Sequence, residues 1–205
     1  QEYREGEPLT DVQKVGTYDE AMGSGTTITF LANDRIFDSL EYNFDTLKGR
    51  MRELAFLNKG VRITVTDKRV EPELSRSFCY EGGIISFVEH LNKSKDVLHD
   101  EVMYFEGSRN QPEKEQVATV EVAMQYNSDY NESVFTSANN INTGEGGSHL
   151  VGFRSALARS INDYARKYKI LKDSDANLSG EDVREGLTAI ISVKLVEPQF
   201  EGQTK

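Results

Sequence analysis

The chain has 205 residues, 37% hydrophobic and 28% charged, with 34 acids against 24 bases and a net charge of −10. That is enough apolar material for one large domain or two small ones, and the acid surplus argues against a protein whose main task is wrapping nucleic acid or docking on an anionic membrane. No stretch approaches the roughly 18 apolar residues of a membrane helix, the opening QEYREGEPL has neither a signal-peptide pattern nor a starting methionine, and Cys79 is the single cysteine; together these lead us to expect a cytoplasmic piece of a longer protein, with Cys79 a buried structural thiol.

Residues 1–23 are polar, with only a weak edge-strand pattern from Val12 to Val15. SGTTITFLAND then places β-branched residues at 26–29, followed by Phe30 and Leu31, and predicts a strand closed by the Asn33-Asp34 turn. In FDTLKGRMRELAFLNKG the apolar Phe44, Leu47, Met51, Leu54 and Ala55 fall at helical spacing, with Asp45 or Thr46 as cap and Gly60 as the left-handed stop. VRITVTDKR alternates Val61, Ile63 and Val65 against Arg62, Thr64 and Thr66, the pattern of a half-buried strand, and a further strand is expected near Ser77 to Tyr80.

After Gly82-Gly83, IISFVEHLN reads as a short helix, and a domain boundary is expected here. Strands follow near 101–105, 119–126 and 133–138, with SRNQPEKEQ as the loop between the first two, in an antiparallel meander. From Gly147 to Leu171 runs the longest helical pattern, its stripe formed by Leu150, Phe153, Leu157, Ile161, Tyr164 and Tyr168. LSGEDVREGL is a short helix capped by Ser179 and ended by Gly186, and TAIISVKLVEP is a β-branched strand terminated by Pro198.

The common catalytic motifs are missing: there is no GxxxxGK[ST] loop, GxSxG elbow, HExxH or Cys/His cluster at metal spacing, so no metal site is expected in this chain. His90, His99 and His149 are scattered, and Glu53 and Asp67 read as surface acids. Three features stand above that background. Gly25-Thr26 puts a small backbone and a hydroxyl at a strand entry, suited to a ligand contact through water or to nothing beyond strand propensity. The helical stretch 147–172 carries Arg154, Arg159, Arg166, Lys167, Lys169 and Lys172 against the single acid Asp163, a face that could meet phosphates or simply be solvated. Finally, Gln203-Thr204-Lys205 combines a flexible ammonium with neutral amide donors, a set suited to a terminal phosphate or an exposed polar tail.

Several stretches together resemble the B subunits of bacterial type IIA topoisomerases, those of DNA gyrase and topoisomerase IV: RELAFLNKGVRITVTDKR at 52–69, YEGGIISFVEHLN at 80–92, VEVAMQYN at 120–127, NNINTGEGGSHLVGFRSAL at 139–157, GEDVREGLTAIISVK at 180–194 and PQFEGQTK at 198–205. The match runs in order from Gly25 onward. The resemblance implies an α/β (α+β) fold: residues 1–81 as the C-terminal part of a GHKL-type ATPase sandwich, and 82–205 as a transducer domain with a left-handed βαβ crossover.

It further implies use of ATP and Mg2+, with the catalytic Glu, the magnesium ligands and the adenine-binding Asp outside this chain, which is therefore expected to be inactive alone. Thr26 resembles the threonine that helps hold adenine. Gln203 and Lys205 resemble the pair that reaches the γ-phosphate and serves both nucleotide binding and catalysis. Arg154 resembles an arginine facing the cavity through which DNA passes. The implied partners are double-stranded DNA, the gyrase A subunit in an A2B2 heterotetramer and a second B subunit joined by ATP-dependent dimerisation. VKLVEPQFEGQTK and AFLNKGVRI lean toward gyrase; topoisomerase IV, or a stand-alone phosphate- or protein-binding module, remains the alternative.

Overall fold

In a computed structural model, which describes residues 1–17, 23–111 and 116–200, the chain forms two units, Gln1–Asn43 and a second that begins at Phe44. The first holds one small hairpin, β1 (Tyr3–Arg4) paired with β2 (Glu7–Pro8). Its turn residues Glu5 and Gly6 both have positive φ, 52° and 88°, the backbone twist that two-residue hairpins favour.

The strand expected at 26–31 is not formed. Residues 23–33 are irregular, and Ile28 and Leu31 are each 80% exposed. β-Branched residues supply only a preference, and a strand exists through ladder bonds to a neighbour; among the described residues nothing pairs with this stretch. Val12–Val15 is likewise exposed and unpaired into any sheet.

The second unit is an α+β layered fold. Helix α1 (Phe44–Leu57) packs on the hairpin of β3 (Ile63–Asp67) and β4 (Leu74–Phe78), and α2 (Ile84–Asn92) follows. A five-stranded sheet comes next, built from β5 (Met103–Gln111), β6 (Gln116–Tyr126), β7 (Ser133–Ala138), β8 (Ile141–Asn142) and β9 (Leu187–Lys194), in the order β5-β6-β9-β7-β8. Two helices, α3 (Ser148–Lys167) and α4 (Gly180–Arg184), lie in sequence between β8 and β9. Glu81, where the resemblance places its domain boundary, lies inside this unit.

β9 is the middle of the core, buried from Leu187 through Val193. Alternate residues go to opposite sides: Ile190 and Ala123 join Phe56, Phe87 and Val88 under α1 and α2, whereas Leu187, Ala189, Ile191 and Val193 pack beneath Phe153, Leu157, Val183 and Leu150. Covered on both faces, the strand needs no polar alternation, which is why TAIISV reads as a continuous run.

This placement corrects the expected meander. β9 inserts between β6 and β7, pairing antiparallel with the first and parallel with the second, because the most apolar strand gains most from the centre. The β7-to-β9 connection through α3 is thus a βαβ crossover. Within SRNQPEKEQ, Ser108–Gln111 and Gln116 are strand, the β5–β6 ladder continuing in register from Ser108↔Thr119 to Gln111↔Gln116, since hairpin pairing uses backbone groups that polar residues supply equally well.

Other elements shift. β4 lies at 74–78 rather than 77–80, so Cys79 falls just past its end and is only half-buried, its Sγ 3.6 Å from the carbonyl of Gly60. α1 begins at Phe44, placing Asp45 inside the first turn. β9 ends at Lys194, four residues short of Pro198. Tyr164 in α3 and Tyr168, which caps its C-terminus, are each 57% exposed. The last turns of that helix turn Asn162 and Ala165 inward instead, with Asn162 Nδ2 donating to Leu178 O at 3.0 Å and its Oδ1 accepting from Leu178 N at 2.8 Å; the stripe leaves the sheet and meets the 171–179 connection. The capping box of Ser179 and Asp182 and the positive-φ stop at Gly186 form as expected.

Candidate functional site

Arg154 lies two turns into α3, which starts from Gly146 and Gly147, φ 92° and 146°. Its guanidinium is already engaged. Nε donates to Glu132 Oε1 and Nη2 to Glu132 Oε2, both at 3.0 Å, while Arg184 Nε, from the end of α4, donates to the same Oε2 at 3.1 Å. The side chains are 39%, 22% and 19% exposed for Arg154, Glu132 and Arg184. One carboxylate thus serves two guanidiniums in a half-buried, bidentate arrangement that keeps a net positive charge at the surface.

The rest of the basic stretch is less uniform than its composition. Arg166 is spent within the chain, donating to Lys172 O at 2.8 Å, Asp175 O at 2.7 Å and Asn177 Oδ1 at 2.8 Å. Arg159, Lys167, Lys169 and Lys172 are exposed, the last two beyond the helix end. The three histidines all have intramolecular partners. His90 Nε2 is 3.4 Å from Arg52 Nη1, His99 Nε2 accepts from Tyr126 N at 3.0 Å, and His149 Nε2 is 3.0 Å from Thr143 Oγ1. Burial pushes His149 below its ordinary value, favouring the neutral imidazole.

Of the residues expected to meet nucleotide, Thr26 is described, exposed and on irregular backbone in the first unit. Gln203 and Lys205 lie outside the described residues. What is described is the segment leading to them. Past the end of β9, Leu195 N donates to Asn139 Oδ1 at 2.8 Å and Asn139 Nδ2 donates to Leu195 O at 2.7 Å. Phe200 packs against the cluster of Ala138, Ile191 and Val193.

On the opposite face of the sheet, a small cleft open to solvent is lined by Arg50, Glu53 and Leu57 of α1 together with Phe87, Phe135, Ser137 and Asn142. The buried Oγ atoms of Ser137 and its ladder partner Ser192 have no hydrogen-bond partner among the described residues. Sequence reasoning missed Glu132, Arg184, Asn139 and Asn140. The Asn-Asn pair closing the SVFTSA stretch is a turn signal; nothing in NES marks Glu132, whose importance arises only when the fold brings residues 132, 154 and 184 together.

A family model described as DNA gyrase B matches residues 83–205. The DNA gyrase B subunit of Clostridium acetobutylicum is 53% identical over the whole chain, which covers 31% of that protein, and the DNA gyrase B subunit of Bacillus mycoides is 52% identical, with all of this chain covering 48% of it. The chain therefore spans a third to a half of the length of these relatives. Among solved structures, the 43K ATPase domain of Thermus thermophilus gyrase B, in complex with an aminocoumarin, superimposes with a TM-score of 0.69 at 34% identity, over 83% of this chain and 44% of that one. The gyrase B protein of Myxococcus xanthus gives 0.68 at 24% identity, over 83% and 46%, a likeness of fold. With its family model matched over more than half its length, this chain belongs to the DNA gyrase B family.

Proposed function

We propose that this chain is the part of a gyrase B subunit that converts the state of bound ATP into motion at a DNA gate, with 1–81 completing the ATPase domain and 82–205 forming the transducer. The observation that carries this reading is the exit from β9: the most buried strand of the sheet runs directly into a segment held by Asn139 at Leu195 and by Phe200 at the α3-side core, and that segment leads to Gln203 and Lys205. ATP supplies a γ-phosphate that is present before hydrolysis and gone after it. An ammonium and an amide suit that group chemically, and a charge-assisted hydrogen bond is worth roughly 1.5–3 kcal/mol, enough to bias a two-state equilibrium about ten- to a hundredfold. Lys205 then holds the transducer in one orientation while the phosphate is present and releases it afterwards.

Thr26 would contribute a water-mediated contact to the adenine, and magnesium would be held by residues outside this chain. Arg154 and the exposed bases of α3 face the duplex in transit. The partners are double-stranded DNA, the gyrase A subunit and a second B subunit, in the cytoplasm; no helix among the described residues is long and apolar enough to cross a membrane. Decatenation as part of topoisomerase IV is the weaker reading, since relatives 52–53% identical over the whole chain are gyrase B subunits.

The test is Lys205→Ala in the complete subunit. Nucleotide binding is expected to persist while ATP hydrolysis and supercoiling fall at least tenfold, roughly the value of the lost charged bond. Hydrolysis at the unmodified rate refutes the reading.

A further inference from the structure

The cleft between α1 and the sheet gathers the polar groups that the fold leaves without partners. Among the described residues, three buried side-chain atoms make no hydrogen bond: Ser137 Oγ, Ser192 Oγ and Asn140 Oδ1. All three belong to this neighbourhood. Ser137 lines the cleft and pairs in register with Ser192 across the parallel β7–β9 ladder, and Asn140 sits in the turn after β7, its carbonyl accepting from Arg50 Nη2 at 3.1 Å. Strand alternation fixes where the two hydroxyls point. Phe135, two residues before Ser137, sets its ring 5.7 Å from that of Phe87 in α2, and Ile190, two residues before Ser192, packs with Phe56, Phe87 and Val88. Both serines therefore face the side of α1 and α2, at 4% and 2% exposure. Folded proteins satisfy nearly all such groups, because an unpartnered buried hydroxyl carries its whole desolvation cost.

The chemistry of the lining defines what would satisfy them. Phe87, Phe135, Leu57 and Ile190 make the walls apolar and partly aromatic, and Phe135 is still 38% exposed. Arg50 and Glu53 hold each other at 2.9 Å, so the one cation and the one carboxylate of the lining cancel, and a charged ligand would be desolvated with no unpaired partner to meet it. A hydroxyl both donates and accepts, which suits a group that offers a donor and an acceptor side by side. We propose that this cleft is a binding site for a small neutral molecule carrying one aromatic ring and an amide-like edge, with the ring against Phe135 and the edge at Ser137. Such a ligand would join α1 to β7 on the face of the sheet turned away from α3, and its binding is a property separate from the ATP and DNA reading above.

The probe is benzamide, titrated into the complete subunit with the isoleucine and leucine methyl groups labelled for NMR. Saturable shifts are expected at Ile190 and Leu57, with a Kd on the order of 1–10 mM, as ligands of this size allow, while Ile161, packed on the α3 side of the sheet, stays in place. Benzoate, which has the same shape and a charge, is expected to bind at least about tenfold more weakly. Ser137→Ala is expected to weaken benzamide about three- to tenfold, the weight of one neutral hydrogen bond, and to leave the methyl positions of the free subunit unchanged except beside the substitution.

Four results overturn the proposal: a titration that does not saturate, shifts at Ile161 as large as those at Ile190, benzoate binding as tightly as benzamide, or full benzamide affinity in Ser137→Ala. The first of these leaves the serine hydroxyls to water alone. Should the alanine variant fail to fold, the benzamide and benzoate comparison and the map of shifted methyls in the unmodified subunit decide the question.

Discussion

Replacing Glu132 with Gln removes the one carboxylate between Arg154 and Arg184 while keeping its shape, so the loss is electrostatic. In the native arrangement three charge-assisted bonds converge on it at 3.0, 3.0 and 3.1 Å. Fully buried, each would be worth about 1.5–3 kcal/mol. Arg154 is more than a third exposed, so its share is discounted toward the ~1 kcal/mol of a surface pair, whereas Arg184, at 19% exposure, retains more. The expected cost of Glu132→Gln is therefore about 2–3 kcal/mol, which lowers the melting temperature of this 205-residue chain by roughly 4–12 °C. Arg154→Gln should cost only about 1 kcal/mol, because Glu132 keeps Arg184. The Glu132→Gln/Arg154→Gln double variant should cost about the same as Glu132→Gln alone, since the second change removes a charge the first left uncompensated. Thermal unfolding of the four proteins measures all three quantities. Strict additivity, or a Glu132→Gln cost below about 0.5 kcal/mol, the level of an ordinary surface substitution, refutes the shared-carboxylate argument.

The same cluster makes a functional prediction: in the complete subunit, Arg154→Gln lowers DNA-stimulated ATP hydrolysis more than the intrinsic rate, and equal loss of both, or of neither, counts against a DNA-facing role. A third prediction concerns pH. The hydrogen bonds from Arg69 to Asp67, from its side chain first and its backbone next, bring the Asp67 carboxyl down from 3.8 to about 2. A depressed folded value means the stabilisation is complete above pH 3.8 and is lost as the pH falls toward 2. A carbon-detected titration of the Asp67 carboxyl should show a midpoint near 2, rising only part of the way to 3.8 in Arg69→Ala, whose backbone N–H still donates; a midpoint of 3.8 in the unmodified protein refutes the assignment.

Where the sequence was legible, a local cause was sufficient. α1, α2, α3 and α4 follow from apolar spacing, and Ser179 announces a cap because the Ser-x-x-Asp pairing is complete within four residues. Gly186 had to be glycine for a reason the periodicity does not carry: at φ 68° an added Cβ would sit 2.3 Å from Asn127 O. Sheet order was not legible, because it is settled by competition among strands for the centre, and only β9 can be buried on both faces. The expected strand at 26–31 marks the same limit from the other side. Thr26 to Leu31 has the composition of a strand, yet without a paired neighbour its backbone stays irregular.

The candidate site divides in the same way. Arg154 was legible as a base on a long helix, but its environment depends on Glu132 just before β7 and Arg184 at the end of α4; Arg154 and Arg184 lie 22 and 52 positions from that carboxylate and are brought to it by the crossover. That arrangement constrains the mechanism. An arginine held bidentately by a carboxylate meets a phosphate only by sharing its remaining donors or by giving up Glu132. The first costs little, and the second leaves Glu132 to Arg184, which stays in place as its partner. If Arg154 faces DNA, as we propose, a phosphate would be engaged and released there without stranding a buried charge.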